Sequence, residues 1–244
     1  AKLLKIDHVL DRAPRELSNG QKQRTSLARA LVAEPRILLL DDPLRNVDAK
    51  LRFEMRLELP VLLREAGTTV LYVTQDYKEA MALADRIAVL VAGEFIQVAT
   101  PEDIYLRPAT VGVARLFGDP VINLVEAPIE ASGGGVVAQV GGGRVALDGG
   151  NASAAGTSVT VGIRPEAVII GAAGSSGLDA EVMAVTPLNE RTVLLLKSAN
   201  GWECLASLPS TATSLPAAGS RVGLAFAAEG THLFDTATGK RFNG

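Results

Sequence analysis

Short apolar runs that alternate with helical patterns constrain the first half of this chain more than any other feature. Four runs at residues 36–40, 69–73, 87–91 and 94–98 have the length and composition of strands, and helical patterns cover residues 19–32, 49–66 and 77–84. Such alternation is typical of an α/β domain with a mostly parallel sheet. The sequence therefore predicts that domain over residues 1–118.

The second half of the chain has a different composition. Residues 119–244 hold 19 of the 24 glycines but only 7 of the 24 basic residues. Short runs rich in β-branched residues, at 136–140, 159–163, 193–197 and 221–226, are separated by glycine or proline turns. This spacing predicts a small all-β barrel or sandwich, with a domain boundary near residue 118.

Charge, cysteine content and hydropathy exclude several classes of protein. The 24 basic and 27 acidic side chains nearly balance, which argues against nucleic acid as a partner. Cys204, the one cysteine, has no second cysteine for a disulfide. No apolar run approaches the roughly 20 residues that a membrane helix needs, and we find no secretory leader. We expect a folded cytoplasmic protein that reaches a membrane only through a partner.

Three polar segments occur in sequence around the first predicted strand. Residues 17–21, Leu-Ser-Asn-Gly-Gln, open a helical pattern, Asp41 and Asp42 end the strand, and residues 46–48 follow as Asn-Val-Asp. Ser18 with a glutamine three residues later predicts, taken alone, a capping box. A helix N-terminus also binds anions, and a carboxylate at the end of a buried strand can bind Mg²⁺.

In this order and spacing the segments resemble the signature, the Walker B strand and the D-loop of ABC-transporter ATPases. The resemblance implies a partial P-loop NTPase domain that binds ATP with Mg²⁺. It implies that Asp41 binds the metal and that Asp42 polarises the attacking water. The resemblance assigns Ser18, Asn19, Gly20, Gln21 and Asp48 to nucleotide binding. It implies that residues 18–21 contact ATP that another subunit holds.

The sequence departs from that family at the site itself. Asp42 stands where the family has glutamate, so its carboxylate lies about 1.5 Å closer to the backbone, and a displacement of about 1 Å can cost about a hundredfold in rate. Gln75 stands where the family's switch segment has histidine, and glutamine cannot carry a proton. Asn19 in place of glycine is a milder change. We expect a half-site that hydrolyses ATP slowly or only binds it.

A phosphate-binding loop of the form G-x-x-x-x-G-K-[ST] does not occur in the 244 residues. The chain therefore resembles the latter part of the family's nucleotide-binding domain, and we expect it to be inactive alone. We also expect the strand at residues 36–40 to expose apolar surface and to promote self-association.

The second half resembles the OB-like regulatory (TOBE) domain of ATPases that serve sugar, polyol and glycerol-phosphate importers, through residues 161–166, 222–226 and 232–235. This resemblance implies integral membrane permease subunits and a second ATPase subunit, in a homo- or heterodimer at the inner face of the plasma membrane. An alternative function is a non-catalytic regulatory or small-ligand-binding module built on this domain. Arg164 and Glu166 form a surface ion pair in the plainest interpretation. Residues 222–226 and 232–235 are either β-core or a contact for a ligand or regulator.

Overall fold

The computed structural model describes residues 1–2, 4–65, 67–132, 135–147, 158–175, 178–212 and 214–242. The chain divides into two compact units, Ala1–Ile87 and Ala88–Gly244. The first unit mixes helices with a parallel pair of strands, whereas the second is mostly antiparallel β-structure. The predicted change from an α/β to an all-β architecture is therefore confirmed.

The first unit is built from three α-helices, two short 3-10 helices (Asp7–Val9 and Pro14–Glu16) and a pair of parallel strands among the described residues. Its strands pair in parallel register from Ile37↔Thr69 to Asp41↔Val73. The elements are α1 (Asn19–Val32), β1 (Ile37–Asp41), α2 (Ala49–Glu65), β2 (Thr69–Val73) and α3 (Tyr77–Leu83). All five confirm the predicted segments to within one residue at each end, and Ala66, predicted to end the second helix, lies outside the described residues.

The two faces of the β1–β2 sheet have opposite environments, because side chains alternate along a strand. Leu38 and Leu40 are buried in a core with residues from α1, α2 and the N-terminal segment. The other face, here called the open sheet face, carries four apolar side chains that are each more than half exposed. They are Ile37 (67%), Leu39 (70%), Leu71 (61%) and Val73 (52%). The predicted exposed apolar strand surface is therefore confirmed.

The strands after α3 differ from the sequence prediction. β3 (Ile87–Val91) and β4 (Glu94–Ala99) form a separate two-stranded sheet instead of joining β1 and β2. The turn between them has positive φ at both residues, 50° at Ala92 and 87° at Gly93, which is the backbone of a tight hairpin. The parallel sheet in the described residues is thus smaller than the alternating pattern indicates.

Two short helices follow the hairpin and were not predicted. They are α4 (Pro101–Leu106) and α5 (Val111–Leu116). Each begins after a threonine cap, since Thr100 accepts from the Asp103 N–H and Thr110 accepts from the Val113 N–H. Six residues are too few for a clear helical period, which is why the sequence pattern did not reveal them.

The rest of the second unit is two five-stranded sheets around one apolar core, as predicted for an all-β domain. The strands are β5 (Asn123–Ser132), β6 (Gly135–Val140), β7 (Gly143–Leu147), β8 (Ser158–Ile163), β9 (Val168–Ala172), β10 (Asp179–Pro187), β11 (Arg191–Ser198), β12 (Glu203–Pro209), β13 (Arg221–Phe226) and β14 (Thr231–Asp235). Their orders in the two sheets are β12-β11-β10-β13-β9 and β14-β8-β5-β6-β7. The four predicted runs correspond to β6, β8, β11 and β13.

Candidate functional site

Asp41 and Asp42 lie where β1 ends, at the carboxyl edge of the parallel sheet. The Asp42 N–H donates to the Val73 carbonyl at 2.8 Å, and a left-handed φ of 46° at Asp42 turns the chain out of the strand. Asp41 is exposed and Asp42 is half-buried, with Arg45 Nε 3.8 Å from its carboxylate. Asp41 therefore presents its carboxylate to solvent, where it can bind a hydrated cation.

The first turn of α1 forms the predicted capping box. The Ser18 Oγ accepts from the Gln21 N–H at 3.2 Å, and the Gln21 Oε1 accepts from the Ser18 N–H at 3.0 Å. Helix geometry leaves the N–H groups of Asn19 and Gly20 without intrahelical acceptors. A serine hydroxyl that accepts one hydrogen bond can still donate another. The cap therefore leaves this turn able to bind an anion.

Gly20 lies against the loop that follows β1. A Cβ atom at Gly20 would come within 2.9 Å of the Asn46 carbonyl oxygen, so only glycine fits this approach. The structure thus brings the 18–21 turn against the loop that carries Asp42 and Asp48. The resemblance assigned Gly20 to nucleotide binding, and the close approach seen here is to the chain's own backbone.

Asp48 has a local structural role in addition to its predicted one. It precedes α2, and its Oδ1 accepts from the Leu51 N–H at 3.0 Å, as an N-cap residue does. That hydrogen bond is the main cause that lowers the pKa of the exposed Asp48 carboxyl. The side chain is therefore ionised at neutral pH and points its charge at the start of α2.

Gln75 is exposed in the short segment between β2 and α3. Asp76, the next residue, caps α3 by accepting from the N–H groups of Lys78 at 2.8 Å and Glu79 at 3.4 Å. Because β1 and β2 run parallel, Gln75 and Asp42 both follow strands that end at the same sheet edge. The structure therefore places two of the three residues that depart from the resembled pattern at one edge.

Comparison with known families matches three stretches of the chain. Residues 1–45, which contain the 18–21 turn and both aspartates, match the family described as ABC transporter. Residues 118–168 match the MalK OB fold domain, and residues 161–234 match the TOBE domain.

Curated relatives match almost the whole chain. The sn-glycerol-3-phosphate import ATP-binding protein UgpC of Ruegeria sp. (strain TM1040) is 43% identical over 243 residues, which are 99% of this chain and 66% of the relative. UgpC of Shigella boydii serotype 4 is 39% identical over 246 residues, 99% of this chain and 67% of the relative. This chain belongs to the family of ABC-transporter ATP-binding proteins.

The xylose/arabinose import ATP-binding protein XacK of Haloferax volcanii is also similar to this ABC-family chain, with 41% identity over 242 residues, 97% of the chain and 62% of the relative. The chain spans about two thirds of the length of these curated relatives, from 62% to 67%.

A buried polar network beside Gln75 was missed by the sequence reasoning. Glu79 is 1% exposed, and its Oε2 accepts from the Tyr72 hydroxyl at 2.9 Å and from the Thr74 hydroxyl at 3.0 Å. Burial, together with Glu79, raises the pKa of Tyr72, which keeps the hydroxyl protonated and donating. Asp76 adds an ion pair of 2.6 Å to Arg56. This network fixes both ends of the segment that carries Gln75.

In the TOBE region the expected surface pair of Arg164 and Glu166 is wrong. Arg164 is 1% exposed, and its guanidinium donates to the carbonyl oxygens of Tyr105, Ala114 and Phe117 at 3.0, 2.9 and 2.5 Å. Glu166 instead accepts from the Tyr105 hydroxyl. The carbonyls lie at the ends of α4 and α5, so Arg164 caps two helices and is held inside by them.

A cavity of about 220 Å³ lies beside Arg164 in the second unit, and His232 is among its lining residues. His232 is 3% exposed, and burial lowers its pKa to about 4, aided by Arg164 and Arg241. The neighbouring Leu233 and Phe234 are also buried, as are Val222 and Leu224 of β13. These residues therefore support the β-core interpretation of residues 222–226 and 232–235 over a contact for a ligand or regulator.

The described part of the chain contains no group of three or more histidine, cysteine or acidic side chains arranged to hold a metal ion. None of its helices is long and apolar enough to cross a membrane.

Proposed function

We propose that this protein is an ATP-binding and ATP-hydrolysing subunit of an ABC importer for a sugar, polyol or glycerol-phosphate-type solute. The observation that carries the proposal is that one folded unit holds the capped 18–21 turn, the aspartates that end β1 and the segment with Gln75, in the family's order. The relatives are sn-glycerol-3-phosphate and xylose/arabinose import ATP-binding proteins, which supports the solute class.

The proposed assembly follows from the same relationship. The subunit pairs with a second ABC ATPase subunit, contacts integral membrane permease subunits, and lies at the cytoplasmic face of the plasma membrane. In that dimer the 18–21 turn acts on ATP that the partner holds. The N–H groups of Asn19 and Gly20 and the Ser18 hydroxyl are the donors that this chain can offer to a γ-phosphate.

The chemistry of the remaining residues fits a magnesium-dependent hydrolysis. Magnesium commonly takes one or two protein carboxylates, with water and phosphate oxygens completing its shell, so the exposed Asp41 suits it without a larger cluster. When bound, the ion neutralises phosphate charge. Asp42 accepts a hydrogen bond from the attacking water and so orients it. Asp48 keeps its charge at the start of α2, next to the same loop.

The departures from the family pattern at Asp42 and Gln75 predict that the two ATP sites of the dimer differ. Asp42 and Gln75 belong to one half-site, and both weaken the chemistry there, whereas the 18–21 turn retains its donors. The proposal is therefore a heterodimer with one competent and one slow or binding-only site. The 244-residue chain alone, which has no G-x-x-x-x-G-K-[ST] loop, is proposed to be inactive.

The test restores the family residues in the complete gene product, assembled with its transporter subunits. The double variant Asp42→Glu with Gln75→His is expected to raise turnover at this half-site by about 10- to 100-fold, because it moves a carboxylate by about 1.5 Å and supplies a proton carrier. Because the other site is already competent, the total ATPase rate should rise about twofold. The exposed Asp11→Glu variant is the matched control and is expected to leave the rate unchanged. An unchanged rate in the double variant, with the protein folded, would contradict the asymmetric-site proposal.

A further inference from the structure

One glutamine outside the 18–21 turn binds the loop between β1 and α2 at two points. Gln23, two residues beyond that turn on α1, donates from Nε2 to the Asp42 carbonyl at 2.9 Å. Its Oε1 accepts from the Asn46 N–H at 3.1 Å. A single amide side chain therefore spans the loop, on the same side where Gly20 approaches Asn46.

An arginine on α2 binds the same loop through other backbone groups. The Arg52 Nη2 donates to the carbonyls of Arg45 at 3.1 Å and Val47 at 3.0 Å. The same guanidinium lies 3.8 Å from the Asp76 carboxylate through Nη1 and 3.9 Å from the Glu79 carboxylate through Nε. Arg52 therefore connects the loop to the polar network that holds the segment carrying Gln75.

These bonds determine how Asp42 is held. Its N–H is bound by the Val73 carbonyl, its own carbonyl is bound by Gln23, and its φ of 46° lies in the sparsely populated left-handed region. A residue bonded on both sides of an unusual φ has little freedom to change its direction. The direction of the Asp42 carboxylate therefore depends on the Gln23 amide.

We propose that Gln23 and Arg52 are positioning residues for ATP hydrolysis. Gln23 couples the 18–21 turn to Asp42, and Arg52 couples the same loop to the segment that carries Gln75. The inference rests on the proposed function, in which the turn acts on the partner's nucleotide while Asp42 and Gln75 act on this chain's own. The loop then links the two sites by hydrogen bonds within one chain, and the coupling can be measured.

The test uses steady-state ATPase kinetics of the complete gene product in its assembled transporter. Gln23→Met keeps the length of the side chain but removes both hydrogen bonds, and Arg52→Lys keeps the charge but loses the planar fork. Each is expected to lower kcat by about 10- to 100-fold, with KM for ATP changed less than about threefold. A loop shift of about 1 Å also displaces the 18–21 turn that lies against the loop and serves the competent site, and it affects reaction geometry more than affinity. The controls are Ser26→Ala and Lys50→Ala, exposed positions on the same two helices.

A combined variant measures whether the two residues act together. If both hold one loop, Gln23→Met with Arg52→Lys will lower kcat by less than the product of the two single effects. Thermal unfolding by circular dichroism will show whether each variant is folded. Should Gln23→Met fail to fold, Gln23→Asn replaces it, because the shorter amide cannot reach both loop partners and is also expected to lower kcat.

The kinetic results distinguish failure of the positioning role of Gln23 and Arg52 from failure of the proposed ATPase function on which it rests. If the unmodified transporter hydrolyses ATP and folded Gln23 and Arg52 variants match the Ser26 and Lys50 controls, the positioning role is wrong and the proposed function stands. The positioning role is also wrong if KM rises in step with the fall of kcat and the combined variant shows the full product of the two single effects. If the unmodified transporter hydrolyses no ATP, the proposed function fails and the positioning role fails with it.

Discussion

Replacing Arg164 by methionine should strongly destabilise the second unit. Arg164 is 1% exposed and donates three hydrogen bonds to backbone carbonyls at the ends of α4 and α5, those of Tyr105, Ala114 and Phe117. Its guanidinium also stacks 4.1 Å from the centre of the Tyr105 ring. Methionine fills much of the same space but leaves all three carbonyls without this donor.

The size of the effect can be estimated from those contacts. A hydrogen bond from a charged donor contributes about 1.5–3 kcal/mol, so three of them set an upper range. The variant also avoids the cost of burying a charge, which offsets part of the lost stability. We expect the free energy of unfolding to fall by about 3–5 kcal/mol. With a urea m-value of about 2 kcal/mol/M, the midpoint should fall by about 2 M.

Urea unfolding followed by tryptophan fluorescence is the assay. Trp202 is the one tryptophan of the chain, and it lies in the second unit with its ring 6.2 Å from that of Phe226. Arg115→Met, at an exposed position on α5, is the matched control and should shift the midpoint little. If the methionine variant does not fold, Arg164→Lys should show about half the loss. A midpoint of Arg164→Met equal to that of Arg115→Met would refute the capping role.

Two further predictions concern acid stability and self-association. The pKa of His232 is lowered from 6.5 to about 4, so the unfolded state takes up a proton that the folded state excludes. The contribution of neutral His232 to the free energy of unfolding is therefore fully present above pH 6.5. It should decrease by about 1.4 kcal/mol per pH unit as the pH falls from 6.5 to 4. The His232→Gln variant should not show this decrease in urea unfolding followed by Trp202 fluorescence. Separately, the 244-residue chain should self-associate at micromolar concentration through the open sheet face, and Leu39→Lys with Leu71→Lys should reduce this in light scattering. A monodisperse monomer before substitution would contradict the second prediction.

Local patterns predicted much of the fold because they depend on neighbours in sequence. The bounds of α1, α2 and β2 followed from periodicity, and the capping box followed from Ser18 and Gln21, three residues apart. Alternation along β1 explains which of its side chains reach the core. The site aspartates were located by their place at the end of that strand.

Contacts between distant residues could not be predicted in this way. Arg164 binds carbonyls that lie 47 to 59 residues earlier, so its sequence neighbours suggested only a surface pair with Glu166. Gln23 binds groups 19 and 23 residues away, and no local pattern marks it. The pairing of β3 with β4 depended on positive φ at Ala92, which is uncommon for alanine.

The capped turn and the β1 aspartates are proposed to serve an ATPase whose own phosphate-binding loop is not among these 244 residues. Calorimetric titration of the 244-residue chain with ATP and Mg²⁺ tests this claim most directly, with the full-length UgpC of Ruegeria, 43% identical over the matched region, as the reference. The account predicts a binding isotherm for the reference and none for the chain alone. Saturable binding of ATP by the 244-residue chain would contradict the account and would require a nucleotide site in a different place.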